Sequence, residues 1–297
     1  MSFLHQLVWR LLPDTPVGIA LNAAKQRLDD VGCLTAHLDA QVILAYVLQV
    51  DRSWLFAHHD YKLSAEQVDA YTQLIMRRMR HEPVAYLVGY KEFYGLEFVV
   101  DPRVLIPRPE TELLVDAVLN QVEFRDDMIL RIADVGTGSG AIALAIAANA
   151  PTAIIYAIDV SLDALAVARL NVAKLDTRRQ VTLLQGDLLT PLLEPVDIIV
   201  ANLPYISSPA YQSLDADVRD YEPQLALEAG PEGLDTIAHL LAQAPHFLNP
   251  HGIIYLEIGY DQGAGVLALA KQYLPQHQMI SLRQDYSGRD RLVTIEM

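Results

Sequence analysis

The spacing of apolar residues changes character twice along this chain. Up to about residue 80 it is helical: Leu38, Val42, Ala45 and Tyr46 fall at i, i+4, i+7 and i+8, and Val68, Tyr71, Ile75 and Met79 repeat the stripe. Ser64, just ahead of Ala65-Glu66-Gln67, is placed to cap a helix, with Gln67 at the capping-box position. Arg77, Arg78 and Arg80 fall off the stripe and read as a solvated face. From Tyr90 to Val100 two short runs flank Gly95, the pattern of a β-hairpin. Beyond residue 107, short β-branched runs alternate with helical stretches such as 141–148 and 162–171. Strands are expected at 129–135, 154–159, 181–185, 197–201, 253–258, 279–282 and 292–296. That order specifies an α/β fold: a doubly wound, mostly parallel, seven-stranded Rossmann-like sheet behind a small N-terminal helical bundle. The expected boundaries are a helical domain at 1–84, a hairpin linker at 85–106 and a sheet domain at 107–297.

Composition narrows the function classes. Of 297 residues 52% are hydrophobic, enough for a sizeable core. A net charge of -15 opposes broad electrostatic grip on nucleic acid, which depends on basic residues releasing counterions. The single cysteine, Cys33, leaves no disulfide framework or cysteine-rich zinc site, and is expected to be a small buried residue. His58-His59 is the one adjacent histidine pair and has no metal-ligand spacing around it, so no metal is expected. No apolar run reaches about 18 residues, the minimum for a membrane-spanning helix. Residues 1–13 lack a basic n-region and a small-residue cleavage site. The expectation is a cytoplasmic protein with no membrane contact.

Candidate chemistry gathers where the expected strands end. The first runs into Asp134-Val135-Gly136-Thr137-Gly138-Ser139-Gly140, a G-x-G-x-G loop whose glycines allow a tight turn and close approach to a ligand. A dinucleotide loop would be G-x-G-x-x-G, so pyrophosphate and a nicotinamide cofactor are disfavoured. Asp159 ends the second strand, where an acid can accept both hydroxyls of a ribose. The third ends Gln185-Gly186-Asp187-Leu188, an acid suited to an exocyclic amine. Together they describe a nucleoside ligand without a phosphate requirement, and S-adenosylmethionine fits. The fourth strand ends Ala201-Asn202-Leu203-Pro204-Tyr205. Asn202 offers an acceptor and two donors, Leu203 a carbonyl and Tyr205 a flat face, a set able to grip a planar group carrying an NH2. Upstream, Leu105-Ile106-Pro107-Arg108-Pro109-Glu110-Thr111-Glu112 holds Arg108 rigidly between prolines and puts two acids in a first helical turn.

The glycine loop, the acids and the Asn-x-Pro-Tyr element resemble class I S-adenosylmethionine-dependent methyltransferases. More closely, the chain is similar to the release factor glutamine methyltransferases, the HemK/PrmC family. The resemblance also runs through Glu92-Phe93-Tyr94-Gly95, Tyr221-Glu222-Pro223, Ala229-Gly230-Pro231-Glu232-Gly233-Leu234, Leu256-Glu257-Ile258-Gly259 and Asp285-Tyr286. Leu203 departs from the family's usual Asn-Pro-Pro-Tyr. The resemblance implies methyl transfer to the glutamine amide nitrogen in the Gly-Gly-Gln loop of peptide chain release factors, with S-adenosylhomocysteine as product. It casts Asn202, Pro204 and Tyr205 as catalytic, and Leu203, Phe93 and Arg108 as further substrate contacts, with Phe93 or Tyr94 closing the pocket. Gly136, Thr137, Gly138, Ser139, Gly140, Asp159, Asp187, Leu188 and Asn202 would hold the cofactor. Substrate docking by the N-terminal helices, a monomeric state and no direct nucleic-acid partner are further expectations. An adenine N6-methyltransferase remains the alternative enzyme, since adenine presents the same NH2. A non-catalytic S-adenosylmethionine-binding protein is the alternative from another class.

Overall fold

The computed structural model describes residues 9–125, 129–176 and 178–297. They form two compact units: residues up to Gly89 together with Ala216–Tyr221, and Tyr90–Asp215 together with Glu222–Met297. The first unit is helical, with α1 (Val17–Asp30), α2 (Ala36–Leu48), α3 (Arg52–Ala57), α4 (Ala65–Arg78) and α5 (Val84–Val88). Its core includes Leu21, Leu28, Ile43, Leu44, Leu55, Tyr71 and the buried Cys33. The capping box at Ser64 is formed, with Gln67 N–H donating to Ser64 Oγ at 3.2 Å and Ser64 N–H to Gln67 Oε1 at 2.9 Å.

Two details of this unit differ from the sequence reading. The buried face of α2 runs through Ala36, Asp39, Ala40, Ile43 and Leu44, and Leu38 is exposed. The register turns because Asp39 has a buried partner. That partner is Arg78, which is not solvated: its Nε donates to Asp39 Oδ2 at 2.7 Å, with both side chains about as buried as the apolar core. The segment Ala216–Tyr221, which also belongs to this unit, reaches the same arginines. Asp217 lies 3.9 Å from Arg78, and the Tyr221 hydroxyl donates to the Arg80 carbonyl.

The second unit opens with β1 (Tyr90–Phe93) and β2 (Leu96–Val99), an antiparallel hairpin. Tyr94 and Gly95 both have positive φ at its tip, the backbone twist that a two-residue hairpin turn requires. After α6 (Glu112–Phe124) come β3 (Arg131–Val135), α7 (Ala141–Asn149), β4 (Ile154–Asp159), α8 (Leu162–Leu175), β5 (Val181–Gln185) and β6 (Val196–Ala201). Short helices α9 (Ser208–Tyr211) and α10 (Ala216–Arg219) precede α11 (Asp235–Phe247), β7 (Leu248–Glu257), α12 (Gly263–Tyr273), β8 (Met279–Gln284) and β9 (Asp290–Glu296). The sheet order is β5-β4-β3-β6-β7-β9-β8, with β9 antiparallel to both its neighbours and the other pairings parallel.

Alternate residues serve opposite faces. Ile132, Ile198 and Val200 pack with α6 and α7, and Ala133, Ile199 and Ala201 pack with α11 and α12. Two covered faces explain why β6 is apolar almost throughout. Its exception, Asp197, accepts from Arg131 N–H and Asn249 Nδ2, both at 2.8 Å. The hairpin is tied in by the fully buried Asn171 of α8, whose Oδ1 accepts from Val99 N–H at 2.7 Å. Its Nδ2 donates to the carbonyls of Val99 and Ser139. One buried amide thus holds both β2 and the glycine loop. Strand β7 begins five positions earlier than the apolar run suggested, because Leu248 already pairs with Val196 across a register shift. Among the described residues no helix is long and apolar enough to cross a membrane.

Candidate active site at the switch point of the sheet

Strand order reverses between β3 and β6, and ligands in open α/β sheets bind outside the carboxyl ends of the strands at that point. A cavity of about 350 Å³ opens there, lined among others by Gly136, Gly138, Asp159, Asp187, Asn202 and Pro204. Leu188 and Leu203 also line it. Leu188 is buried with φ of 51°, a left-handed conformation that a leucine adopts only when its surroundings hold it there.

The glycine loop is shaped by backbone bonds. Gly136 and Thr137 N–H both donate to the Ile158 carbonyl at 2.9 Å. Gly138 N–H donates to Asp159 Oδ2 and Ser161 N–H to Asp159 Oδ1, each at 2.9 Å. Gly136 has φ of +75°, and a Cβ there would lie 3.1 Å from Leu203 Cδ2, so the loop and the Asn-Leu-Pro-Tyr segment meet with no room between them. Burial raises the Asp159 carboxyl above the usual range, opposed by the backbone donors.

Beneath the loop lies Asp134, fully buried. Its Oδ2 accepts from Thr137 Oγ1 at 2.6 Å and Ala143 N–H at 3.1 Å, and among the described residues its Oδ1 has no partner. Burial pushes this carboxyl up from 3.8 to about 7, against the pull of those two donors. An acid whose pKa is raised on folding binds a proton in the native state that the unfolded chain has already lost. Its contribution to stability is therefore complete below about pH 4 and falls by roughly 4 kcal/mol as pH rises to about 7. Asp134→Asn cannot titrate, so urea unfolding across this window should show the stability difference, wild type minus variant, declining with pH. Parallel stability curves would contradict this.

On the other side of the cavity a hydrogen-bonded chain crosses between elements remote in sequence. Asn202 Nδ2 donates to Thr111 Oγ1 at 3.0 Å, and Thr111 Oγ1 donates to Glu257 Oε2 at 2.7 Å. The Tyr205 hydroxyl donates to Glu257 Oε1 at 3.4 Å. Glu257 is buried at the end of β7, and burial raises its carboxyl, opposed by Thr111 and the Arg291 charge. The Tyr205 phenol is raised as well, chiefly by burial. Gln262 Nε2 fastens the Tyr205 carbonyl at 2.8 Å. Gly233, with φ of +73°, lets this segment pass, since a Cβ there would fall 2.3 Å from the Tyr205 carbonyl oxygen. Arg108 is paired with Glu222, whose other oxygen accepts from Ile106 N–H at 3.1 Å.

Comparison with known proteins decides the family. Residues 20–89 match the PrmC N-terminal domain and residues 109–216 the methyltransferase small domain. A release factor glutamine methyltransferase of Moorella thermoacetica is 44% identical over 273 residues, 92% of this chain and 95% of that protein. Its counterpart from Caulobacter vibrioides is 41% identical over 275 residues, 92% and 94% of the two chains. The chain belongs to the release factor glutamine methyltransferase family. In fold alone it is also similar to the catalytic domain of hMettl16, solved with an RNA hairpin (TM-score 0.53, 16% identity, 68% of this chain and 75% of that one).

Within this family member the sequence-expected residues do not all meet. Gly136, Gly138, Asp159, Asp187, Leu188, Asn202, Leu203 and Pro204 converge on the cavity. Thr137, Ser139 and Gly140 shape the loop from behind, with Thr137 and Ser139 buried. Tyr205 is held beside the cavity by Glu257 and Gln262. Phe93 does not line the cavity. It is 2% exposed in the core, edge-on to Phe98, because the inner face of the hairpin packs on α6 and α7. Tyr94 is likewise occupied, its N–H on Glu112 and its hydroxyl on Asp116. Arg108 is not a free cation but half of an ion pair. Thr111, Glu222 and Glu257 were given no role by residue chemistry. A lone acid closing the apolar run 253–256 was the available signal for Glu257. Among the described residues no cluster of three His, Cys, Asp or Glu is placed to hold a metal ion.

Proposed function

We propose that this chain methylates the side-chain amide nitrogen of the glutamine in the Gly-Gly-Gln loop of peptide chain release factors, using S-adenosylmethionine and leaving S-adenosylhomocysteine. The observation that carries the reading is Asn202 at the lip of the cavity. Its Nδ2 is committed to Thr111, and its Oδ1 has no hydrogen-bond partner among the described residues. Membership of the family supports the substrate.

The cavity suits the cofactor. Positive φ at Gly136 and Gly138 brings backbone close without side chains in the way. Asp159 still has lone pairs to offer a diol beyond the two backbone donors it receives. The Asp187 carboxylate is exposed, with no hydrogen bond among the described residues, and is free to accept from an exocyclic amine. Leu188 supplies an apolar wall. When bound, S-adenosylmethionine supplies an electrophilic methyl group on a sulfonium sulfur.

An amide nitrogen is a poor nucleophile because its lone pair is delocalised into the carbonyl. Asn202 Oδ1 and the Leu203 carbonyl accept its two hydrogens, which aims the nitrogen and stabilises positive charge as the new N–C bond forms. Tyr205 packs beside the amide plane. Once nitrogen carries the methyl group, one of its protons passes to water and the neutral N-methyl amide remains. Positioning carries most of the acceleration, an effect worth roughly 7–11 kcal/mol in model systems. Because the Leu203 contribution comes from its backbone, leucine in place of the usual proline preserves it. The buried Leu203 side chain instead packs against Gly136.

The test offers the purified chain methyl-labelled S-adenosylmethionine with either intact release factor or adenine-containing DNA and RNA. Label in the release factor is the expected result. Label in nucleic acid, with none in protein, would replace this reading by adenine N6-methylation.

A further inference from the structure

The atoms around Asn202 carry more than its presence at the cavity. A threonine hydroxyl has one proton to give. That of Thr111 goes to Glu257, a buried carboxylate that also receives the Tyr205 hydroxyl. What remains on Thr111 Oγ1 is lone pairs, which can only accept. The neighbouring amide must therefore present Nδ2 to Thr111 and turn Oδ1 away from it, the arrangement seen at 3.0 Å. An asparagine without such a neighbour can flip, and the flipped amide would point NH2 at a substrate that also offers NH2.

We infer that Thr111 and Glu257 are positioning residues: a relay whose hydrogen-bond direction fixes the Asn202 amide with its acceptor oxygen toward the substrate. This rests on the function proposed above and names the parts that make Asn202 selective for an amide donor. The relay is built for one arrangement. Thr111 is 4% exposed and Glu257 2%, so water does not compete for these bonds. The residues come from three separate places, the turn before α6 and the ends of β6 and β7, so no local conformational preference would bring them together. The same carboxylate also fixes the Tyr205 hydroxyl, which couples the two side chains of the Asn-Leu-Pro-Tyr segment through one group.

The experiment compares Thr111→Val, which keeps shape and loses the hydroxyl, with Thr111→Ser, which keeps the hydroxyl. Steady-state methylation of whole release factor should show kcat down at least about 10-fold in Thr111→Val, since small misplacements of reacting groups cost up to about 100-fold. KM for S-adenosylmethionine should be unchanged, and Thr111→Ser should stay within about 3-fold of wild type, because one hydroxyl proton suffices to set the direction. If Thr111→Val does not fold, as judged by Tm, Thr111→Ala replaces it with the same expectation. Equal activity in the Val and Ser variants would overturn the relay while leaving the proposed function intact. So would a loss confined to KM for S-adenosylmethionine, the mark of a merely structural role. Absence of methyl transfer by the wild type would overturn the proposed function, and the relay with it.

Discussion

Replacing Asn202 by alanine should lower methyl transfer to release factor by about 100- to 1,000-fold, the cost of removing a single preorganised polar group at a reacting centre, while S-adenosylmethionine affinity changes less than about 3-fold. The expected split follows from where the side chain is anchored. Asn202 lines the cavity with its Nδ2 held by Thr111, and its Oδ1 has no hydrogen-bond partner among the described residues. The variant loses the acceptor for one substrate hydrogen and, with it, the aim of the nitrogen. The glycine loop, Asp159 and Asp187 are untouched. Single-turnover rates and equilibrium binding, measured on the same preparation, separate the two effects. A loss of cofactor affinity equal to the loss of rate would show that Asn202 serves the cofactor instead.

Asp159→Ala should produce the opposite pattern, with cofactor affinity falling about 100-fold. The carboxylate does two things at once. It receives Gly138 and Ser161 N–H, which sets the path of the loop, and it lines the cavity where a ribose would lie. Hydrogen bonds to a charged group contribute about 1.5–3 kcal/mol each, so losing one such bond to the ligand and slackening the loop costs about 3 kcal/mol, or roughly 100-fold in affinity. At saturating S-adenosylmethionine the rate should recover to within about 10-fold of wild type, because Asn202 and its relay stay in place. Calorimetric titration reports the first quantity, and initial rates at high cofactor the second. Unchanged affinity would remove Asp159 from the cofactor site.

What the sequence revealed, and what it hid, divides by the range of the interactions. Strand ends were legible because glycine, aspartate and asparagine interrupt apolar runs at the carboxyl end of each parallel strand, where a buried run must turn. The capping box at Ser64 was legible because all its atoms lie within four residues. The hairpin was legible from Gly95, which can take the positive φ its tip requires. The ion pair of Arg108 was hidden because its partner, Glu222, is 114 residues away and nothing local announces it. The burial of Arg78 is hidden for the same reason, its partner lying on a different helix. Phe93 shows a further limit. An aromatic residue beside a hairpin tip can face the core or a pocket, and only the packing of β1 on α6 and α7 decides. The Thr111–Glu257 contact spans 146 residues, which is why residue chemistry pointed to Asn202 and not to the hydroxyl and carboxylate behind its amide.

The measurement that tests the account most directly uses methyl-labelled S-adenosylmethionine, intact release factor, and the same factor with the glutamine of its Gly-Gly-Gln loop replaced. Label should enter the unchanged factor and not the replaced one. Label in both would move the target to another residue, and label in neither would contradict the proposed reaction.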